Sequence, residues 1–167
     1  MMKKGFTLIE MLLYLSILSV VVLALSSFLF LTYTSRIKGN VIAEVEQQGS
    51  QTMSLITQNI RNSSGITLPV AGASAASLDL TEYIGAVSPT IFNQSGNKIQ
   101  ITEGAGGAVD LTSNRVIVSG LSLQNLSRPG TPGVIRIQFT LTHINPANRG
   151  EYIYSKTFTS TASRRWP

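Results

Sequence analysis

The fold is decided at Gly5-Phe6-Thr7-Leu8-Ile9-Glu10, where the chain enters an apolar run that continues through residues 11–31. That run contains no charged residue, and most of its side chains are Leu, Ile, Val or Phe. Each such side chain favours insertion by about 0.3 to 0.6 kcal/mol when it lies near the centre of a membrane helix. The sequence therefore predicts one helix near the N-terminus that can cross a bilayer.

Glu10 places a carboxylate at the beginning of this apolar run. An ionised acid inside a membrane helix is costly, so a functional partner of opposite charge is the default hypothesis. Two structural explanations stay open beside it. Glu10 is close enough to the polar start of the segment to lie at the level of the lipid headgroups. Thr7-Leu8-Ile9-Glu10 also fits the S/T-x-x-E capping box, in which two side chains satisfy two amides at a helix start.

The residues before the run indicate how the segment is processed. Lys3-Lys4-Gly5 places its small residue ahead of the apolar run, whereas an ordinary secretory signal is cleaved after its apolar region. A cut at Gly5 would therefore leave the apolar helix on the mature chain.

The octapeptide from Lys3 to Glu10, KKGFTLIE, closely resembles the class III signal of type IV prepilins and type II secretion pseudopilins. The resemblance implies that a prepilin peptidase/methyltransferase cleaves between Gly5 and Phe6, with Lys3 and Lys4 contributing to leader recognition. It also implies N-methylation of the new amino group of Phe6. The other implied partners are further pilin or pseudopilin subunits, an inner-membrane assembly platform and, before assembly, membrane lipid.

The implied cleavage supplies the partner that Glu10 needs. The new amino group of Phe6 stays positive after methylation, and in the family such a group pairs with this carboxylate between an incoming subunit and its neighbour. At about 4 Å and an effective dielectric constant near 20, two unit charges attract by roughly 4 kcal/mol before desolvation. The resemblance therefore implies an assembly ion pair between Phe6 and Glu10 that sets the stagger between subunits.

The apolar periodicity predicts that one helix continues to about Arg61. Apolar residues recur at three- or four-residue spacing over residues 37–60, and Asn62-Ser63-Ser64-Gly65 supplies a helix stop. Gly39 and Gly49 each weaken the helix by roughly 1 kcal/mol relative to alanine, which indicates tolerated flexibility or a bend. We divide the chain into a leader peptide (residues 1–5), a transmembrane and filament-core helix (6–33), the exposed amphipathic half of that helix (34–62) and a β-rich globular domain (63–167).

After Gly65 the pattern changes from helical spacing to alternation, with turn signals about every ten residues. The clearest element is a long C-terminal hairpin, because apolar residues alternate over 135–141 and again over 152–158, around a loop at 143–150. Shorter strands are predicted at 66–70, 90–92, 98–102, 115–118 and 121–126, with a hairpin turn at 93–97, a surface loop at 71–76 and an ambiguous segment at 78–83. The expected fold class is α+β, with a long N-terminal helix packed on an antiparallel sheet, as in pilins.

Composition limits the classes of function. The chain of 167 residues has room for one soluble domain beyond the membrane helix. Its formal charge of +5 is spread from Arg36 to Arg165 among acidic residues, so nucleic acid is not an expected partner. The chain contains no cysteine, so its fold must hold without disulfides or thiolate metal sites. The resemblance implies a single-pass inner-membrane protein with a cytoplasmic N-terminus and an extracytoplasmic domain, which later enters a pilus or pseudopilus.

No pattern predicts an enzyme, a cofactor or a metal site. His143, the one histidine, falls in the predicted hairpin loop and is interpreted as a solvated side chain. Residues 104–107 lack the Lys-Ser/Thr that follows a phosphate-binding loop. The acidic residues of the domain are too dispersed for a calcium loop. Arg164-Arg165-Trp166 interleaves charge with an aromatic ring, as single-stranded nucleic-acid binders do, but is interpreted as a disordered tail.

Two departures from major pilins favour a minor subunit. The chain has no proline before Pro69, although major pilins commonly have one in the membrane helix, and it lacks the cysteines of their C-terminal disulfide loop. Residues 55–65 and Arg164-Arg165 resemble minor pilins and J-type minor pseudopilins. The preferred hypothesis is a minor structural subunit of a type IV pilus or type II secretion pseudopilus. The alternatives are a DNA-binding tip subunit for DNA uptake and a plain single-pass membrane-anchored β domain.

Overall fold

The computed structural model describes Gly5 and residues 7–165. These residues form two compact units that divide between Gly39 and Asn40. One helix, α1 (Leu8–Asn62), supplies all the regular structure of the first unit and the first element of the second.

The first unit consists of the early turns of α1, and it is apolar on every side. Its serines do not interrupt the helix, because their hydroxyls donate to backbone carbonyls of the preceding turn. Ser16 Oγ donates to the carbonyl oxygen of Leu13 at 2.8 Å, and Ser27 Oγ donates to that of Leu23 at 3.0 Å. These bonds satisfy the hydroxyls within the helix, which suits an apolar environment.

In the second unit, α1 buries one narrow stripe and leaves the opposite side polar. The buried residues recur every three or four positions, as the sequence pattern predicts; they are Val41, Val45, Gly49, Thr52, Ile56 and Ile60. The helix ends at Asn62, where the Ser63 amide still donates to the Asn59 carbonyl at 2.9 Å. The Ser64 amide already donates to the Thr81 carbonyl at 2.8 Å, so the chain passes directly into a sheet.

Nine strands follow, in two antiparallel sheets. Their bounds are β1 (Gly65–Leu68), β2 (Ser74–Ala75), β3 (Ser77–Thr81), β4 (Thr90–Ser95), β5 (Lys98–Glu103), β6 (Val109–Asp110), β7 (Val116–Asn125), β8 (Val134–His143) and β9 (Ser155–Ser163). One sheet has the order β1-β3-β4-β5-β6 and the other the order β2-β7-β8-β9. The α+β class, with the long helix packed on antiparallel sheet, is confirmed.

The alternating segments predict the strands well where both partners are long. The hairpin of β4 and β5 and the C-terminal hairpin of β8 and β9 both form. The ambiguous segment at 78–83 is mostly strand β3. The strand predicted from Tyr152 begins later, at Ser155, because residues Gly150–Tyr152 form a 3-10 turn.

Two predictions about the middle of the domain are wrong. The segment 71–76, predicted to be a surface loop, contains β2, whose two residues pair with β7. The strands predicted at 115–118 and 121–126 form one strand, β7, which bulges between Ser119 and Ser122. Gly120 has a φ of 63° inside this bulge, a conformation that glycine adopts without strain.

The core lies where the inner faces of the sheets meet the buried stripe of α1. Strand β8 contributes four fully buried side chains in strict alternation, namely Ile135, Ile137, Phe139 and Leu141. Val45, Ile56 and Ile60 of α1 belong to the same cluster. Burying each such side chain fully contributes about 1.5 to 3 kcal/mol. The helix is therefore part of the core of the β domain.

Gly49 is a packing position and not merely a flexible one, which corrects the sequence interpretation. A Cβ atom built on Gly49 would overlap the ring of Phe158, whereas one built on Gly39 would have no neighbour within 4 Å. The Phe158 ring also stacks on Phe139, with ring centroids 5.5 Å apart. Glycine at position 49 therefore allows β9 to approach α1 closely.

Candidate functional site

The site indicated by the sequence lies at the start of α1. Thr7 precedes the helix, and its Oγ1 accepts the amide N–H of Glu10 at 3.3 Å. The carbonyl oxygen of Thr7 accepts the amide N–H of Met11 at 3.2 Å, as the first helical hydrogen bond. Thr7 is therefore the N-cap, and one half of the capping box predicted from the sequence is formed.

The Glu10 carboxylate forms a hydrogen bond further along the helix. Its Oε1 accepts the hydroxyl of Tyr14, four residues on, at 3.3 Å. Within the described part of the chain, no bond returns from this carboxylate to the Thr7 amide, so the second half of the capping box is not formed. A carboxylate has about four acceptor positions, and a hydroxyl at this distance occupies one of them weakly. Glu10 thus keeps acceptor capacity for a cation.

Tyr14 was not recognised from the sequence as part of this site. The signal was present, because residues four apart lie on the same helix face. Tyr14 is also 52% exposed, so its ring lies on the helix surface beside Glu10.

The surroundings of Glu10 are apolar and uncovered. The large apolar side chains from Leu8 to Leu31 are between 47% and 80% exposed. A helix that is apolar on all sides is typical of a membrane span or of the interior of a larger assembly. By length and composition, α1 is the one helix of the described chain that could cross a membrane, with a mean hydropathy of 2.5 in its most apolar window; a signal sequence meets the same criteria.

The other predicted site residues flank this region. Gly5 is exposed, and a side chain at its position would meet nothing within 4 Å. Lys3, Lys4 and Phe6 lie outside the described residues. The cleavage site, the methylation of Phe6 and the pair between Phe6 and Glu10 therefore remain predictions.

A second polar cluster joins α1 to the end of the sheet. The ammonium of Lys156 on β9 donates to both carboxylate oxygens of Glu46, at 2.6 Å each. The hydroxyl of Tyr154 donates to Glu46 Oε1 at 2.8 Å. The hydrogen bonds from Lys156 and Tyr154 lower the pKa of Glu46, and the bond to Glu46 raises the pKa values of both donors. All three groups are saturated by one another, so the cluster fastens β9 to the helix.

His143 is the last residue of β8 and is not a solvated loop residue, which corrects the sequence interpretation. Its side chain is 8% exposed, with Nδ1 2.8 Å from the carbonyl oxygen of Ile144 and Nε2 3.7 Å from Glu44 Oε2. The His143 amide donates to the Tyr154 carbonyl at 2.9 Å, so β8 extends further than the alternation of apolar residues suggests. Because a carbonyl can only accept, Nδ1 carries the proton. These contacts hold the imidazole in place and bring no nucleophile to it.

The end of the chain is also ordered where a disordered tail was expected. The Arg164 amide donates to the Gly133 carbonyl at 2.8 Å, and the Arg165 amide donates to the Arg61 carbonyl at 3.1 Å. Backbone bonds to a neighbouring loop and to the last turn of α1 hold both arginines. Trp166 lies outside the described residues.

Metal and calcium sites are not indicated. In the described part of the chain, no three His, Cys, Asp or Glu side chains come together in a way that could hold a metal ion.

Comparison with known proteins identifies the N-terminal region. Residues 1–26 match the family model of the prokaryotic N-terminal methylation motif. No curated protein and no solved structure matches the chain significantly. The motif is that of a structural subunit type and not of an enzyme, and it implies interaction with a prepilin peptidase and with other pilin subunits in general. Together with the single apolar helix, it marks this chain as a type IV pilin-like precursor with a class III prepilin signal.

Proposed function

We propose that this protein is a minor type IV pilin or type II secretion pseudopilin. It is a structural subunit that is stored in the inner membrane, cleaved between Gly5 and Phe6, N-methylated on Phe6 and assembled into a filament through α1. One observation carries the proposal. Glu10 is a single carboxylate in the first turn of a helix whose apolar surface is uncovered on every side.

The uncovered surface supports both storage and assembly. Fully burying one Val, Leu, Ile or Phe side chain is worth about 1.5 to 3 kcal/mol, and this segment exposes more than a dozen of them. Lipid covers such a helix before assembly, and the helices of neighbouring subunits cover it in a filament core. Exchange between two apolar environments costs little, so apolar burial alone does not select a position along the filament.

Glu10 provides the selection that apolar contacts lack. A carboxylate moved into an apolar core without a partner is strongly unfavourable, whereas one paired with an ammonium is not. The amino group of Phe6 exists only after cleavage, so the pair with Glu10 forms only between processed subunits. The Tyr14 hydroxyl supplies a second hydrogen bond that orients the carboxylate.

The remaining segments take the roles expected from the sequence. Residues 1–5 are the leader, 6–33 the membrane and filament-core helix, 34–62 the exposed half of the helix and 63–167 the extracytoplasmic domain. The cysteine-free domain is held by its apolar core and by the Glu46, Tyr154 and Lys156 cluster. The lack of cysteines and of a proline in α1 supports a minor subunit over a major one.

Intact-mass analysis of the protein purified from native membranes tests the proposal. The expected mass is that of the chain beginning at Phe6 with one added methyl group. The matched control is Gly5→Glu, which should keep residues 1–5 and lack the methyl group while still entering the membrane. A native chain that begins at Met1, or one cut after residue 31, would show instead an anchored β domain or a cleaved secreted protein.

A further inference from the structure

The basic residues of the second unit fall into two groups. Four of them form ion pairs with acidic side chains: Lys98 with Asp110, Arg115 with Glu44, Arg149 with Glu151 and Lys156 with Glu46. The other five have no acidic partner among the described residues, and all five are arginines, namely Arg61, Arg128, Arg136, Arg164 and Arg165. We call these five the arginine end.

Three of these arginines are brought together by backbone hydrogen bonds. Arg61 is the second-last residue of α1, and its carbonyl accepts the Arg165 amide at 3.1 Å. The preceding Arg164 amide donates to Gly133 at 2.8 Å. Arg164 Nε is buried and has no acceptor among the described residues. The last turn of α1 and the end of β9 therefore present adjacent guanidinium groups.

The other two arginines lie at the same end of the four-stranded sheet. Arg128 is in the connection between β7 and β8, which ends at Gly133 beside Arg164. Arg136 is the third residue of β8 and lies opposite Thr161 of β9, three residues before Arg164. The ion-paired Arg115 and Arg149 belong to the opposite end, where β7 begins and β8 has ended.

A groove of about 520 Å³ opens between α1 and the chain end. Its lining is made only of hydroxyl, amide and guanidinium side chains; they are Ser54, Thr57, Gln58, Arg61, Asn62 and Arg165. Glu82 and Glu103 line a separate groove, which shares Asn62 alone with this one. The groove of the arginine end is therefore positively charged and polar throughout.

We propose that the arginine end binds the phosphate backbone of a nucleic acid without reading its base sequence. Guanidinium, hydroxyl and amide groups are those that contact phosphates in nucleic-acid complexes. A protein interface would need an apolar or aromatic centre, and a lipid-surface site would need apolar side chains to insert. The lining residues offer neither. The five arginines are spread from residue 61 to residue 165, which explains why the sequence argued against nucleic acid as a partner.

Fluorescence anisotropy with the full-length protein in a nonionic detergent tests this binding. The probe is a fluorescein-labelled single-stranded oligonucleotide of mixed sequence, titrated at several salt concentrations. The logarithm of the affinity should fall linearly with the logarithm of the salt concentration. The double variant Arg61→Gln/Arg165→Gln should reduce that slope by about two, or about one for each lost phosphate contact.

The matched control removes the same charge from arginines that already have carboxylate partners. Arg115→Gln/Arg149→Gln should retain the salt slope of the native protein. Equal losses in the two double variants, or the absence of saturable binding, would overturn the proposal. So would tighter binding to polyglutamate or to phosphatidylglycerol vesicles than to the oligonucleotide, because the surface would then recognise an acidic protein or a membrane.

A measurement on the native sequence avoids any effect of substitution on folding. Modification of arginines by a dicarbonyl reagent, mapped by mass spectrometry, should slow at Arg61 and Arg165 when the oligonucleotide is bound. Arg115 and Arg149 should react at an unchanged rate, and uniform protection or none would contradict the inference. The binding does not require cleavage at Gly5, so its failure and a failure of the filament proposal are separate results.

Discussion

The two parts of α1 are made of similar residues but differ in what covers them. Up to Gly39 the helix is apolar on every side and exposed, whereas beyond Asn40 it is apolar along one stripe and that stripe is buried. A narrow stripe can be satisfied by one sheet of the same chain. A helix that is apolar on all sides cannot, so the first part must be covered by lipid or by other molecules. The comparison separates the part of the helix that folds the domain from the part available for assembly.

Matched truncations in the two parts should give the largest difference. Ile56 is fully buried and Ile17 is 54% exposed. Ile56→Ala should destabilise the domain by about 2 to 5 kcal/mol, because it removes core contacts and leaves a cavity. Ile17→Ala should leave the unfolding of the domain unchanged. Urea unfolding in a constant concentration of detergent, followed by circular dichroism, measures both, and equal effects would contradict the division of the helix.

The two glycines of the helix give a second matched pair. Gly49→Ala should destabilise the domain by about 1 to 3 kcal/mol through overlap with Phe158, even though alanine favours helix by about 1 kcal/mol. Gly39→Ala meets open space and should gain helix stability without that cost. The same unfolding measurement applies. A stabilising Gly49→Ala would mean that the Phe158 ring moves aside freely.

These pairs also show what the sequence could predict. Periodicity predicts the end of α1, the apolar stripe and the C-terminal hairpin, because each depends on residues that are close in the chain. The role of Gly49 depends on Phe158, and the burial of His143 depends on Glu44 and on how far β8 extends. The arginine end depends on four separate elements. Such features follow from tertiary packing, which local patterns do not encode.

The Glu46 cluster should have a smaller effect that depends on pH. Hydrogen bonds from Lys156 and Tyr154 lower the pKa of Glu46 in the folded domain. The stabilisation is therefore fully present above the ordinary carboxyl pKa of 4.5 and is lost as the pH falls through the lower folded value.

Lys156→Met should weaken the loss of stability on acidification, because the carboxylate then lacks its main partner. Unfolding midpoints measured between neutral and strongly acidic pH test this effect, with Lys98→Met as the control for a lysine paired elsewhere, with Asp110. Parallel pH curves for the native protein and Lys156→Met would contradict the role of the cluster.

The central claim is that Glu10 selects the position of a processed subunit in a filament, and the partition of Glu10 variants between membrane and sheared filaments tests it most directly. Glu10→Gln keeps the shape of the side chain and removes its charge, and Tyr14→Phe removes only the hydrogen bond to it. An ion pair worth roughly 4 kcal/mol before desolvation predicts that Glu10→Gln is processed normally but enters filaments at least about tenfold less. Tyr14→Phe should show a smaller loss. Incorporation of Glu10→Gln at the native level would contradict the account.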